Sequence, residues 1–165
     1  MFLFFYHEKI KLVMNMFLKK IKDTRIDKDY EQKDVSTKLG VPRSTYSSWE
    51  NGDNKINLLY FIKVCVVLDI SMDYALGLNN NPNRIFNIND LNLQIIAENL
   101  INLCKANNLS QKMLAVTLKY STGMVSGIIN GKVAISLEKL YLLAKQYNFS
   151  VDEFCYKKIN FIQNS

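Results

Sequence analysis

The feature that most constrains this chain is an internal repeat. Residues 32–76 align without a gap on residues 111–155, at an offset of 79 positions. Gln32 meets Gln111, Lys33 meets Lys112, Leu39 meets Leu118, Ser47 meets Ser126, and Asn51-Gly52 meets Asn130-Gly131. Further on, Ile56 and Leu58 meet Ile135 and Leu137, and Ser71 and Asp73 meet Ser150 and Asp152. Identities are few, but the apolar positions keep register throughout. A stacked array needs about three or more units to bury a continuous core. Two copies of this length therefore imply two small domains, each with a core of its own.

Composition sets the outer limits. The chain has 165 residues, 48% of them hydrophobic, and a mean hydropathy of −0.05, as expected of a soluble globular protein. The net charge of +6 and pI near 9.1 suit a nucleic-acid binder, but many basic proteins have no such partner. Residues 16–78 carry ten basic and nine acidic side chains, and residues 96–155 carry six and four. Any contact with DNA must therefore rest on the placement of a few charges.

Cys65, Cys104 and Cys155 lie far apart with no paired spacing, which argues against a disulfide or a zinc site and for the reducing cytoplasm. Cys65 falls in an apolar run and reads as core, whereas Cys104 aligns with Arg25, which reads as an exposed position. His7 is the sole histidine, which removes histidine-based triads and most metal chemistry. No phosphate-loop or dinucleotide fingerprint occurs; Gly40-Val41-Pro42-Arg43-Ser44-Thr45 lacks the second glycine and the lysine. The residues call for neither an enzyme, a cofactor nor a metal.

The N-terminal extension, residues 1–15, opens on the apolar hexad Met1-Phe2-Leu3-Phe4-Phe5-Tyr6. It is too short and too interrupted by charge to span a membrane, and its order is wrong for a signal peptide. It reads either as an extra helix laid on the first repeat or, the favoured reading, as leader residues from an upstream start. Helical periodicity then runs from Phe17 to Arg25, Gln32 to Leu39, from Pro42 to Asn51-Gly52, and after Asn57 to Leu68, with a further helix after Ser71. Asn79-Asn80-Asn81-Pro82-Asn83 marks a linker, assigned to 79–92, between a first domain at 16–78 and a second at 93–156. Helical signals recur at Leu93–Lys105, Gln111–Leu118, Thr122–Ile129, Leu137–Tyr147 and Val151–Cys155, and 157–165 reads as a tail.

Two short helices crossing through a tight turn need a small residue where they touch, a flexible one in the turn and apolar anchors on the second helix. The first repeat supplies Ser36, Gly40, Tyr46 and Trp49; the second supplies Ala115, Lys119, Val125 and Ile128. A left-handed Lys119 costs roughly 1 kcal/mol relative to glycine. With these residues the segment from Gln32 to Gly52, followed by Ile56 to Leu76, resembles the lambda-repressor-like helix-turn-helix family of Cro and phage repressors. Leu109-Ser110-Gln111, Asn130-Gly131-Lys132 and Ser136-Leu137-Glu138-Lys139-Leu140 are similar to the same family.

The resemblance implies an all-α chain of two tandem five-helix domains, each with its third helix in the major groove of double-stranded DNA. Carried over by position, Arg43, Ser44, Ser47 and Ser48 face the bases, and Gln32 grips a phosphate or the reading helix itself. Arg43 is the residue able to make a bidentate contact to guanine. Asn51 and Lys55 approach the backbone. In the second repeat the matching positions are Gln111, Thr122, Gly123, Ser126 and Gly127, with Lys132 nearby. Two glycines offer no side chain to read with and weaken their helix by about 1 kcal/mol each relative to alanine. The expected function is a sequence-specific, repressor-like regulator in which the first domain reads and the second assists or forms a homodimer. The alternative is an antitoxin-like or phage accessory interaction module that keeps the fold with weak DNA affinity. No small-molecule effector domain is evident between 16 and 156.

Overall fold

The computed structural model describes residues 17–87 and 91–161. The extension at residues 1–15 lies outside the described residues. Among the described residues the regular structure is helical, in two units that divide between Ile85 and Phe86.

In the first unit, helix α1 covers 17–27 and is followed by α2 (Gln32–Leu39), α3 (Arg43–Glu50), α4 (Leu58–Val67) and α5 (Met72–Ala75). Helix α2 packs on α3 and α4, and the core closes over Ile21, Val35, Tyr46, Leu58, Phe61, Ile62, Leu68 and Leu76, none more than 3% exposed. Each enclosed Leu, Ile or Phe contributes roughly 1.5–3 kcal/mol, enough in sum for a unit this small to hold its own core. Asn57 and Ser71 cap α4 and α5 by accepting from the Tyr60 and Tyr74 amides. Pro42 occupies the N-cap of α3 at φ −57° and ψ 144°, one residue ahead of the first turn where the sequence put it. Its extended ψ is the conformation a cap needs.

The second unit repeats the plan with α6 (Leu93–Ala106), α7 (Gln111–Leu118), α8 (Thr122–Ile129), α9 (Leu137–Tyr147) and α10 (Val151–Tyr156). Its core is filled differently. Where α3 carries Tyr46 and Trp49, α8 carries Val125 and Ile128; where α5 carries Ala75, α10 carries Phe154, stacked on Phe149 at 4.5 Å and flanked by Phe161. The third helix anchors with aromatic side chains in one unit and with aliphatic ones in the other, where the fifth carries the buried phenylalanine.

Two stretches read as linker and tail are held down. Asn81 and Asn83 donate backbone N–H to the side-chain oxygens of Asn79 and Asn81, both at 3.0 Å, so the asparagine run forms successive side-chain-closed turns. It is tied to the first unit by Ser71, whose N–H donates to the Pro82 carbonyl (2.9 Å) and whose hydroxyl donates to that of Asn81 (3.0 Å). Phe86, just beyond, stacks on Tyr156 of the second unit at 4.9 Å. At the other end, fully buried Asn99 donates to the Phe154 (2.9 Å) and Lys157 (2.6 Å) carbonyls and accepts from the Ile159 amide (2.8 Å), docking the chain as far as Phe161.

Candidate nucleic-acid interface

The site begins with the turn between α2 and α3. Gly40 adopts φ 68°, and the amides of Gly40 and Val41 close onto the Thr37 and Ser36 carbonyls at 3.1 and 3.0 Å. Ser36, 3% exposed, lets the helices approach closely. In the second unit Lys119 takes φ 54° with the same pair of closing bonds, Lys119 to Val116 and Tyr120 to Ala115, so the backbone holds the motif even where the sequence supplies a lysine.

Helix α3 turns Tyr46, Trp49 and Glu50 inward. Trp49 packs against Tyr60 at 5.1 Å. Glu50, its side chain 1% exposed, is held by Arg25 of α1: Nε and Nη2 donate to the two carboxylate oxygens at 2.7 and 3.1 Å. Nη1 of Arg25 donates to the Tyr30 carbonyl (2.6 Å), and Gln32 Nε2 donates to Glu50 Oε2 (2.9 Å). Burial alone raises the Glu50 pKa, but the hydrogen bonds from Arg25 and Gln32 outweigh it and leave the carboxyl below its usual range. The same bond raises Arg25 further. Burial, then the neighbouring carboxylate, raise the phenol of Tyr46, whose hydroxyl lies enclosed beside the pair without a hydrogen bond of good geometry among the described residues. Arg25 is thus 8% exposed, which corrects its reading as a surface position. A lone arginine in a polar helix looks solvated, and its partner is 25 residues away in sequence.

With the inner face fixed, the opposite face of α3 presents Arg43 and Ser44, both exposed, and half-buried Ser47. Arg43, Ser47 and Asn51 form one four-residue row along the helix, with Ser44 and Ser48 in the adjacent one. Nothing among the described residues pairs with the Arg43 guanidinium. Ser48 is more occupied: its hydroxyl donates to the Thr45 carbonyl (2.8 Å) and accepts from Asn54 Nδ2 (3.1 Å), while its carbonyl receives the Asp53 and Asn54 amides. Asn51 and Lys55 are exposed where α3 ends, with Gly52 at φ 76° turning the chain. Sequence reasoning missed Asn54, Arg25 and Glu50. Of these only Asn54, one residue before Lys55 in a polar loop, carried a local signal.

In the second unit Gln111, Thr122 and Lys132 are exposed and Ser126 is half-buried. Asn130 Nδ2 donates to the Ser126 carbonyl at 2.8 Å. Gly127 lies close to Val133, where an added methyl would stand 3.3 Å from the valine Cγ2. Val133, at 41% exposed, replaces Asn54, and exposed Met113 (51%) and Val116 (74%) replace Asp34 and Thr37. Among the described residues no cluster of His, Cys, Asp or Glu side chains suited to a metal ion occurs, and no helix is long and apolar enough to cross a membrane.

Two helices joined by a left-handed turn, the second anchored inward and polar outward, define a helix-turn-helix protein, here in two copies. The chain belongs to the helix-turn-helix family of the Cro and phage-repressor type, matching it at residues 21–74 and again at 100–154. It is also 32% identical over 66 residues to YqaE, an uncharacterised HTH-type transcriptional regulator of Bacillus subtilis (strain 168). That alignment covers 40% of this chain and 57% of the relative, so the chain spans little more than half of the relative's length. No solved structure matches the chain.

Proposed function

We propose that the chain is a sequence-specific DNA-binding transcriptional regulator, repressor-like in type, in which the first domain reads the major groove and the second adds affinity or dimerises. The observation that carries this reading is the pairing of an exposed, unpaired Arg43 at the N-terminal end of α3 with a buried clamp, Arg25–Glu50–Gln32, at the other. Reading bases requires a side chain free to reach a guanine edge and a helix that does not shift beneath it. Gln32 belongs to this clamp; Ser44 and Ser47 flank Arg43, and Asn51 and Lys55 stand where a phosphate would pass. In the second domain Thr122, Ser126, Gln111 and Lys132 suit phosphate contacts better than base edges.

A second reading rests on exposed Met113, Val116 and Val133, which stand where the first domain carries polar residues. In this reading the chain is a protein-interaction module that keeps the fold with weak DNA affinity. Selection of random duplex DNA by the full chain, read by gel shift, separates the two. An enriched motif supports the regulator; the absence of one favours the interaction module.

A further inference from the structure

The three residues of the clamp in the first domain, together with Tyr30, whose carbonyl Arg25 also meets, have repeat counterparts that all line a single groove in the second. Arg25 corresponds to Cys104, Tyr30 to Leu109, Gln32 to Gln111 and Glu50 to Ile129. These four, with Ile101, Leu114 and their neighbours, line an open groove of about 640 Å³ between α6, the start of α7 and the end of α8. In the first domain the equivalent space is filled by a guanidinium and a carboxylate. Replacing arginine by the smaller cysteine opens space, and replacing glutamate by isoleucine adds an apolar side chain to a lining that also carries Lys105, Asn108, Ser110 and Gln111.

We infer that this groove binds a small neutral organic molecule with an apolar, ring-sized body and one N–H or O–H donor. The volume falls within the range of small-molecule sites, which are mostly apolar with a few convergent polar groups. The donor follows from the hydrogen bonds. The Tyr30 carbonyl accepts from Arg25 Nη1 at 2.6 Å, whereas its counterpart on Leu109 accepts no hydrogen bond among the described residues. Neutrality follows from the lining, in which no carboxylate replaces Glu50 and the one charged side chain, Lys105, is exposed to solvent, where its attraction for an anion is screened. A cation would be left without a partner there. Ile101, Cys104, Leu114 and Ile129 supply contact for the body. Because Ile129 ends α8, an occupant would brace that helix where Glu50 braces α3, so no separate effector domain is needed for a ligand to act.

Indole and its donor-blocked analogue 1-methylindole are the probes, titrated into the full chain and followed by amide and methyl NMR. The expected result is saturable shifts centred on Cys104, Leu109, Gln111 and Ile129, with a dissociation constant below about 1 mM. The methylated probe should bind about tenfold more weakly, since it leaves the Leu109 carbonyl unmet. Cys104, half-buried where Cys65 and Cys155 are buried, should be alkylated more slowly by N-ethylmaleimide when indole is present. The double variant Cys104→Arg, Ile129→Glu restores the first domain's pair and should abolish the shifts; Cys104→Met, which fills part of the space conservatively, should weaken binding if the double variant fails to fold. Shifts that do not saturate, that centre elsewhere, or that survive both variants overturn the inference, as does equal binding of the two probes.

Discussion

The buried clamp of the first domain lends itself to a double-mutant cycle in which the second domain supplies the substitutions: Arg25→Cys, Glu50→Ile and the two together. Arg25→Cys leaves the Glu50 carboxylate, 1% exposed, with the Gln32 amide as its one remaining strong donor. Removing one partner of a buried pair costs about 3–5 kcal/mol, chiefly from the uncompensated charge. Glu50→Ile strands the guanidinium in the same way, though at 9% side-chain exposure it has a little more access to water and belongs at the lower end of that range. The double variant removes both charges. It leaves an unmet Tyr30 carbonyl and some loss of packing, about 1–3 kcal/mol. Each single variant should therefore be less stable than the double, with a coupling energy above about 2 kcal/mol.

Trp49 is the sole tryptophan and lies on α3, so its fluorescence during urea unfolding follows the first domain alone. The pH dependence supplies an independent arm. The Glu50 pKa is depressed in the folded state, so its contribution is fully present above the ordinary glutamate value of about 4.3 and is lost as pH falls through the lower folded value. The first domain should therefore lose stability on acidification below about pH 4, and the double variant should lose less over the same window. Additive effects, or single variants costing under about 1 kcal/mol, would refute the view that this pair holds α3 in place.

Other outcomes follow from the same geometry. Arg43→Ala, at an exposed position, should leave melting unchanged but relax preference at one base pair by about 1–3 kcal/mol, read by selection on random DNA. Lys119→Gly, at φ 54°, should stabilise the second domain by roughly 1 kcal/mol in thermal melts. Asn99→Ala removes one bond to the Phe154 carbonyl of α10 and two to the chain beyond it, and should raise hydrogen exchange at the Ile159 amide, with a loss of about 1–3 kcal/mol. Lys132→Ala should weaken DNA binding evenly across sequences and reduce the salt dependence by about one ion, measured by titration at several salt concentrations.

The repeat register carried most of the fold, because apolar spacing is a direct imprint of which helix face is buried. Val35 and Leu114, Ile56 and Ile135, Leu58 and Leu137 all lie in their cores as equivalent pairs. Tyr46 and Trp49 were legible as anchors from spacing alone. What escaped was long-range and polar. Arg25 and Asn99 look like solvated helix positions, and only partners 25 or more residues away in sequence reveal them as buried. The asparagine run reads as a linker from its turn composition, and turn residues say nothing of whether the turns are tethered, as Ser71 tethers these. Gln32 left two possibilities open, phosphate or reading helix, and its 2.9 Å bond to Glu50 engages it with the helix.

The contrast between the two copies bears on why one chain carries both. A base-reading helix must hold its side chains to within about 0.5 Å, which demands anchors along its whole length. Helix α3 has two aromatic anchors and an ion-paired C-terminal end, all on its inward face. Helix α8 has Val125 and Ile128, lacks the charged clamp, and contains two glycines that lower its stability by about 1 kcal/mol each relative to alanine. Phosphate contacts tolerate such looseness because they depend on charge more than on register. Tethering raises the local concentration of a second contact to roughly millimolar, so on the proposed roles a weak, unselective second domain would still deepen binding at a motif chosen by the first. On the proposed division of roles, the missing clamp and the missing reading side chains of the second domain go together: a helix that does not discriminate need not be held as firmly as α3.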